Sequence, residues 1–324
     1  MKSCILGTGS YVPDRIITNA DLEQMVTTSD AWIVERTGIR ERHVVADGQA
    51  CSDLAYWAGK QALANAGIRA QDLDLILVAT CTPDSPLPST ACLVQHRLGA
   101  SRAAACDISA VCCGFLYALA IADSFVRVGS RKVLVIGSEA MSVLIDWTDR
   151  NTCVLFGDGA GAVVVGPSPA KTGILSIHLH ADGNHADLIQ VPGGGSSCSA
   201  SEKTLLEKLP YIKMKGNETF KIAVKTMESS VREALSANGL TIDDVDVFVP
   251  HQANLRILKA VSQRLGLPFH KIVINVDRFG NTSAASIPLA LDEGIKTGAV
   301  QPGSLVLLSA FGAGLTWASS LIRW

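Results

Sequence analysis

The chain has no large excess of charge of either sign. Its 28 Lys and Arg nearly balance 30 Asp and Glu, for a formal net charge of −2 and a pI near 6.4. A general nucleic-acid binder needs a basic surplus, so that function class is excluded, while a local basic patch stays compatible with these numbers. No apolar run has the length of a membrane-crossing helix, which takes about 20 residues, and no membrane partner is expected. The N-terminus has one lysine and then a strand-like run at 3–6, unlike a signal peptide. No Cys-x-x-Cys pair occurs, and the nine cysteines are odd in number and scattered, mostly in apolar stretches (Cys4, Cys81, Cys92, Cys106, Cys153). This argues against a disulfide framework and for a reducing cytoplasm. Gly7-Thr-Gly9 follows a strand but lacks the third glycine of a dinucleotide loop. His178 and His180 share one face of a predicted strand without a clear third ligand. No cofactor and no metal site is expected.

What is present is a large apolar fraction and an internal echo. Of 324 residues, 48% are hydrophobic, enough for a sizeable core in two domains or one large duplicated one. The segment from Ala62 through Gly67, Asp72 and Asp74 recurs from Ala234 through Gly239, Asp244 and Asp246, at a spacing of 172 residues. Each copy reads as a helix closed by a C-cap glycine, an aspartate-bearing turn and a buried strand. The apolar runs at 133–136 and 305–308 keep that spacing, and Asp107 and Asp277 nearly do. Two halves that alternate strand and helix predict an α/β fold with mostly parallel buried strands. We place the boundary in the Gly/Pro-rich stretch 166–173, giving halves 1–170 and 171–324.

Two adjacent cysteines, Cys112 and Cys113, stand just before an apolar helix predicted to start near Gly114. A thiol there feels the positive end of the helix dipole, which favours the nucleophilic thiolate. Adjacent helical positions point about 100° apart, so only one thiol faces a site. Cys112 is assigned that part and Cys113 a packing part. If the halves pack about a pseudo-twofold axis, the turns carrying Cys112, His251 and Asn281 converge. His251 also suits a general base for Cys112, as in hydrolases; taken singly, it reads better as a hydrogen-bonded core histidine, and Gly280-Asn281 more strongly still as a turn with Thr282 or Ser283 capping the next helix.

Four segments together carry a resemblance: Ala-Val-Cys-Cys-Gly-Phe at 110–115, Val-Pro-His-Gln-Ala-Asn-Leu-Arg-Ile at 249–257, Phe-Gly-Asn-Thr-Ser-Ala-Ala-Ser-Ile-Pro at 279–288 and Phe-Gly-Ala-Gly-Leu-Thr-Trp at 311–317. Their order resembles the thiolase-fold condensing enzymes, and more narrowly the β-ketoacyl-acyl carrier protein synthase III family, which starts bacterial type II fatty acid synthesis. The runs at 28–39 and 156–161, with Asp149-Arg150, resemble it too. The resemblance spans essentially the whole chain and implies a duplicated αβαβα fold. It implies a triad of Cys112, His251 and Asn281, with an oxyanion hole from the backbone of Cys112 and Ala313. It implies that Cys112 takes an acyl group from acyl-CoA, and that His251 and Asn281 support decarboxylation of malonyl-acyl carrier protein, without metal or redox cofactor. Trp32 and Arg150 would sandwich the adenine of coenzyme A, with Thr28 and Arg36 nearby. Gly216, Asn217, Phe220, Ala253 and Asn254 would line the pantetheine channel. Met141 and Phe156 would line the acyl pocket, whose floor in relatives is a residue reaching across a homodimer. Leu87 stands there, where many relatives carry phenylalanine, which suggests room for a longer or branched primer. Gln252, Ala253, Asn254, Leu255, Arg256 and Lys221, with Lys215 and Lys259 as further candidates, would face the acidic carrier protein.

Other functions compete. One is acyl transfer or condensation in secondary metabolism. Others are a cysteine thioester hydrolase, which needs a water path, and a non-catalytic partner subunit, which generally loses the nucleophile. Together, His251 and Asn281 favour condensation, since simple transfer needs no pair of enolate donors.

Overall fold

Thirteen strands carry the architecture in a computed structural model that describes residues 2–129, 132–168 and 172–324. They are β1 (Ser3–Tyr11), β2 (Ile16–Thr18), β3 (Glu41–His43), β4 (Leu75–Ala79), β5 (Ala104–Ile108), β6 (Val133–Glu139), β7 (Gly159–Pro167), β8 (Gly173–Ala181), β9 (Ile189–Gln190), β10 (Lys213–Met214), β11 (Val247–Pro250), β12 (Leu305–Gly312) and β13 (Thr316–Arg323). One sheet runs β1-β7-β6-β4-β5 and the other β11-β12-β13-β8, while β2 with β3 and β9 with β10 form small ribbons. β7 ends the first sheet and β8 begins the second. Residues 169–171 of the expected linker lie outside the described residues.

The strands are not mostly parallel. β4 runs parallel to β5 and β6, and β11 to β12, but β1/β7, β6/β7, β12/β13 and β13/β8 are antiparallel. For β12/β13 the reason is local. β12 reaches β13 through a turn of three residues, Gly312 pairing with Thr316, and so short a connection can only reverse the chain.

Layering follows from which faces are apolar. The helices Gly114–Val128 and Ser286–Lys296 share one core with inward residues of both sheets, among them Leu77, Val135, Val249 and Leu308. Helices Cys51–Ala66 and Thr90–Leu98 cover the outer face of the first sheet. Gly216–Ala237 and Leu255–Leu265 cover that of the second. The result is an αβαβα stack. Residues 111–128 have a mean hydropathy of 1.7 and alone, among the described residues, have the length and composition of a membrane span. Their apolarity has another cause here: Phe115, Leu116, Leu119 and Ala122 are fully buried between the sheets.

The repeat is visible in backbone detail. Val111 (φ 46°) and Ser283 (φ 48°), 172 residues apart, hold the same left-handed conformation. Each opens a short 3-10 turn that runs into one of the two central helices. Such a φ is uncommon outside glycine, and finding it twice marks a turn set by the fold around it. The second of these turns lies against bare backbone. A Cβ on Gly137 of β6 would stand 2.2 Å from the Ala284 carbonyl oxygen, and one on Gly161 of β7 2.5 Å from Leu289 N. Gly137→Ala is therefore expected to destabilise the fold by about 1–3 kcal/mol through overpacking. Urea unfolding of the variant checks this, and an unchanged midpoint contradicts it.

Candidate active site

Between the halves lies a cavity of about 1080 Å³, lined by Cys112, His251, Asn281, Phe311 and Ala313 within, and by Trp32, Arg36, Gly216, Asn217, Phe220, Lys221, Ala253, Asn254 and Arg256 toward solvent. Cys112, His251 and Asn281 are 8%, 3% and 8% exposed.

Each of the three is held by backbone. Cys112 sits in the 3-10 turn Val111–Cys113 ahead of the helix from Gly114. Burial pushes its thiol up to about 12; the Ser283 hydroxyl, hydrogen-bonded to it, acts in the opposite sense and Glu139 raises it further. Desolvation thus opposes the thiolate character anticipated from the helix start. Cys113 is turned away, its Sγ donating to the Thr316 carbonyl at 3.3 Å. His251 directly follows β11, with its N–H donating to Ser309 O at 2.8 Å and its Nδ1 2.6 Å from Ser286 Oγ. Burial lowers its pKa to about 3, so the ring is neutral. Asn281 N donates to Leu155 O at 2.8 Å, and Gly157 N donates to Asn281 O at 3.1 Å. Its Oδ1 accepts from Ser283 N at 2.9 Å. With the side-chain oxygen engaged there, the amide NH2 is the end left for the cavity. The close of β12 comes against the thiol turn, since a Cβ on Gly312 would lie 3.0 Å from Cys112 N.

Toward solvent, the Arg150 guanidinium lies 4.7 Å from the Trp32 ring centroid and that of Arg36 5.9 Å. Arg150 itself does not line the cavity, and its Nη1 donates to Thr27 O at 3.2 Å. Thr28 Oγ1 is buried without a hydrogen-bond partner. Met141 and Phe156 line the inner wall with Cys81 and Met227.

Several residues depart from the sequence reading. Gln252 is fully buried, so it cannot face a carrier protein. Its Nε2 donates to Pro250 O and Val273 O, and its Oε1 accepts from Asn275 N. It is a clamp between loops. Leu255 is half-buried against Ile39, Leu258 and Val276. Asn254 caps the helix from Leu255 and donates to Arg36 O. Lys215 is exposed but paired with Asp187 at 2.5 Å, and of the docking candidates Arg256, Lys221 and Lys259 are exposed without an ion pair among the described residues. Arg256 lies over the Phe220 ring at 5.5 Å. Leu87 is 86% exposed and does not line the cavity of its own chain. Ser283 does not cap the following helix, because its hydroxyl donates to Glu139 Oε1 instead. His178 and His180 both face Glu233, at 3.4 and 2.7 Å, and no three-residue metal-holding group occurs among the described residues.

Sequence reasoning passed over Cys81, Glu139 and Ser286. The signal for Glu139 was an acidic residue closing an otherwise apolar strand run, Val-Leu-Val-Ile-Gly-Ser-Glu at 133–139.

Comparisons with known proteins agree with this geometry. Residues 106–183 match the family model for 3-oxoacyl-[acyl-carrier-protein] synthase III, and residues 235–324 the model for its C-terminal part. A β-ketoacyl-[acyl-carrier-protein] synthase III of Caldanaerobacter subterraneus is 55% identical over 321 residues, covering 99% of this chain and 97% of the relative. One of Xanthomonas campestris is 55% identical over 323 residues, covering 99% and 98%. Among solved structures, the 3-oxoacyl-[acyl-carrier-protein] synthase III of Aquifex aeolicus superposes with a TM-score of 0.92 at 47% identity, covering 99% of this chain and 100% of that one. The priming β-ketosynthase of the R1128 polyketide pathway superposes at 0.91 with 38% identity, covering 99% and 96%. The chain, thiolase-like in fold and matched along its whole length, belongs to the β-ketoacyl-acyl carrier protein synthase III family.

Proposed function

We propose that the protein condenses an acyl-CoA primer with malonyl-acyl carrier protein, giving β-ketoacyl-acyl carrier protein, coenzyme A and CO2, and so initiates fatty acid synthesis. The observation that carries this reading is that buried Cys112, His251 and Asn281 line one cavity, with a neutral imidazole and a side-chain amide whose NH2 is left for it. Cys112 attacks the thioester and holds the acyl group, which divides one difficult step into two. The backbone N–H groups of Cys112 and Ala313 hold the tetrahedral oxyanion. Malonyl thioester then loses CO2, and its enolate oxygen takes hydrogen bonds from His251 Nε2 and the Asn281 amide. With the Ser286 hydroxyl as the donor in its 2.6 Å contact with Nδ1, the ring proton stays on Nε2. The carbanion attacks the acyl-cysteine. The condensation involves no net oxidation or reduction and both donors are neutral, so the cycle balances without metal or redox cofactor.

Trp32 and Arg150, stacked on each other here, part to admit adenine, and the unpartnered Thr28 hydroxyl offers a polar contact beside it. Gly216, Asn217, Phe220, Ala253 and Asn254 border the pantetheine. Arg256, Lys221 and Lys259 steer the acidic carrier protein. The open edge of β5, beside the loop carrying exposed Leu87, suits pairing with a second copy in a cytoplasmic homodimer. Leu87 of each copy then floors the other's acyl pocket. The 38% identity to a polyketide priming enzyme favours, as second reading, the same condensation in secondary metabolism.

Intact-protein mass after exposure to acetyl-, isobutyryl- and hexanoyl-CoA is expected to show one adduct that is absent in Cys112→Ala and discharged by malonyl-acyl carrier protein. An adduct persisting in Cys112→Ala removes the nucleophile, strict preference for acetyl removes the Leu87 reading, and rapid CoA release without malonyl substrate favours a hydrolase. His251→Ala and Asn281→Ala are each expected to keep the adduct while CO2 release falls about 10²–10³-fold, the usual loss for an oxyanion donor; equal loss of adduct places these groups in acylation instead. The His251 proton resonances are expected not to titrate from pH 8 down to 5, and a midpoint near 6.5 contradicts a buried neutral donor. Because the folded pKa is depressed from 6.5 to about 3, the unfolded ring takes up a proton that the folded ring refuses. His251 therefore makes the protein less stable as pH falls through that window.

A further inference from the structure

The scheme above leaves the Cys112 proton without a destination. His251 is a poor acceptor, neutral down to about pH 3. Behind the thiol lies a carboxyl group that the scheme does not use. Glu139, at the end of β6, is fully buried. Its Oε2 accepts from Cys81 N at 3.0 Å, Thr82 Oγ1 at 2.7 Å and Thr80 Oγ1 at 3.1 Å. The Thr82 hydroxyl oxygen also accepts from Ala140 N, so its proton is committed to Glu139. Oε2 is thereby fixed as an acceptor. Oε1 is different: apart from the Cys81 thiol, which lies 3.4 Å from both carboxyl oxygens, its one donor among the described residues is the Ser283 hydroxyl at 3.0 Å. It is the edge that can take a proton, and its donor Ser283 stands in the turn packed against that of Cys112, with its hydroxyl acting on the thiol. Ser283 is the residue held at φ 48°, and its side chain turns to Glu139 rather than to the helix end.

We propose that Ser283 and Glu139 form a proton relay that ionises Cys112 during acyl transfer. The Cys112 S–H proton passes to Ser283 Oγ as the Ser283 proton passes to Glu139 Oε1. The thiolate forms its bond to the primer carbonyl, the carbonyl–sulfur bond to coenzyme A breaks, and the CoA thiolate takes a proton from solvent. The reformed Ser283 O–H points at the sulfur. When the malonyl-derived carbanion expels Cys112, the proton returns from Glu139 through Ser283. Burial raises the Glu139 pKa, which makes the carboxylate a better acceptor. The ionisable groups facing it are the thiols of Cys51 on the helix Cys51–Ala66, Cys81 after β4, and Cys112. The proposal rests on the acyl-cysteine reading, and Glu139 acts through Ser283 as a positioning residue.

The test is the single-turnover rate of Cys112 acylation by acetyl-CoA, followed by intact mass between about pH 6.5 and 8.5. With an internal acceptor the wild-type rate is flat in this range. Glu139→Gln and Ser283→Ala are each expected to lose about 10²-fold at pH 7, within the usual range for general base catalysis. Their rates are also expected to rise about tenfold per pH unit, since the thiol must then lose its proton to solvent. A slower variant with a flat profile has lost only structure and overturns the relay, as does a wild-type rate that itself climbs with pH. Should Glu139→Gln fail to fold, Ser283→Ala carries the test. A wild-type proton inventory in mixed H2O and D2O, curved for two protons in flight and linear for one, needs no variant. Absence of any Cys112 adduct in the wild type is a separate result and sinks the acyl-cysteine reading instead.

Discussion

Close contact between backbone and backbone across the seam of the two halves is the constraint on which the site depends. Segment 279–289 lies against Gly137, Gly157 and Gly161, where a Cβ would meet Ala284 O at 2.2 Å, Phe279 O at 2.2 Å and Leu289 N at 2.5 Å. No side chain separates the surfaces. Asn281 can therefore be held from both sides by main-chain bonds to Leu155 and Gly157. Its amide is as rigidly placed as the sheets themselves, the condition under which a donor stabilises a developing charge without reorganising.

Burial has a second effect. The groups at the site resist charge: the Cys112 thiol is pushed up to about 12, the His251 imidazole down to about 3, and the Glu139 carboxyl up. A resting site with little charge has little need of water, and buried donors interact far more strongly with an enolate than they would in solvent. The same desolvation makes the first proton transfer the difficult event. Arg42 shows how the fold treats a charge it does bury. Its guanidinium donates to Ile17 O, Asn19 Oδ1 and Val154 O, with no carboxylate partner among the described residues, and burial lowers its pKa to about 10. It ties the β2–β3 ribbon to the wall that carries Phe156.

Much of this was legible in the residues, and the limits have physical causes. The 172-residue echo revealed the duplication because helix, cap glycine and strand are local features that leave a pattern. It did not reveal strand direction, because a three-residue turn between β12 and β13 reverses the chain without changing the apolar run on either side. Cys112, His251 and Asn281 were legible through motifs of several residues. Gln252 was misread as a surface contact because its role, bridging Pro250, Val273 and Asn275, is between loops distant in sequence. Ser283 looked like a helix cap for a similar reason. A serine just before a helix usually turns to the helix, and only the carboxyl group of Glu139, 144 residues away in the chain, draws it elsewhere.

The matched left-handed turns at Val111 and Ser283 bear on how such a site arises. One turn presents the nucleophile; its counterpart, 172 residues on, sits between the amide donor and the helix that anchors the imidazole. A chain carrying only the first half holds a thiol without enolate donors, and one carrying only the second holds the donors without a thiol. A precursor of half this length would have had to meet its own copy across the seam, with equivalent turns facing one another. Fusion into a single chain released that symmetry, since each turn no longer had to serve both parts. The asymmetry of the chemistry, one turn for holding the acyl group and one for making the carbanion, is then a product of covalent linkage as much as of the side chains themselves.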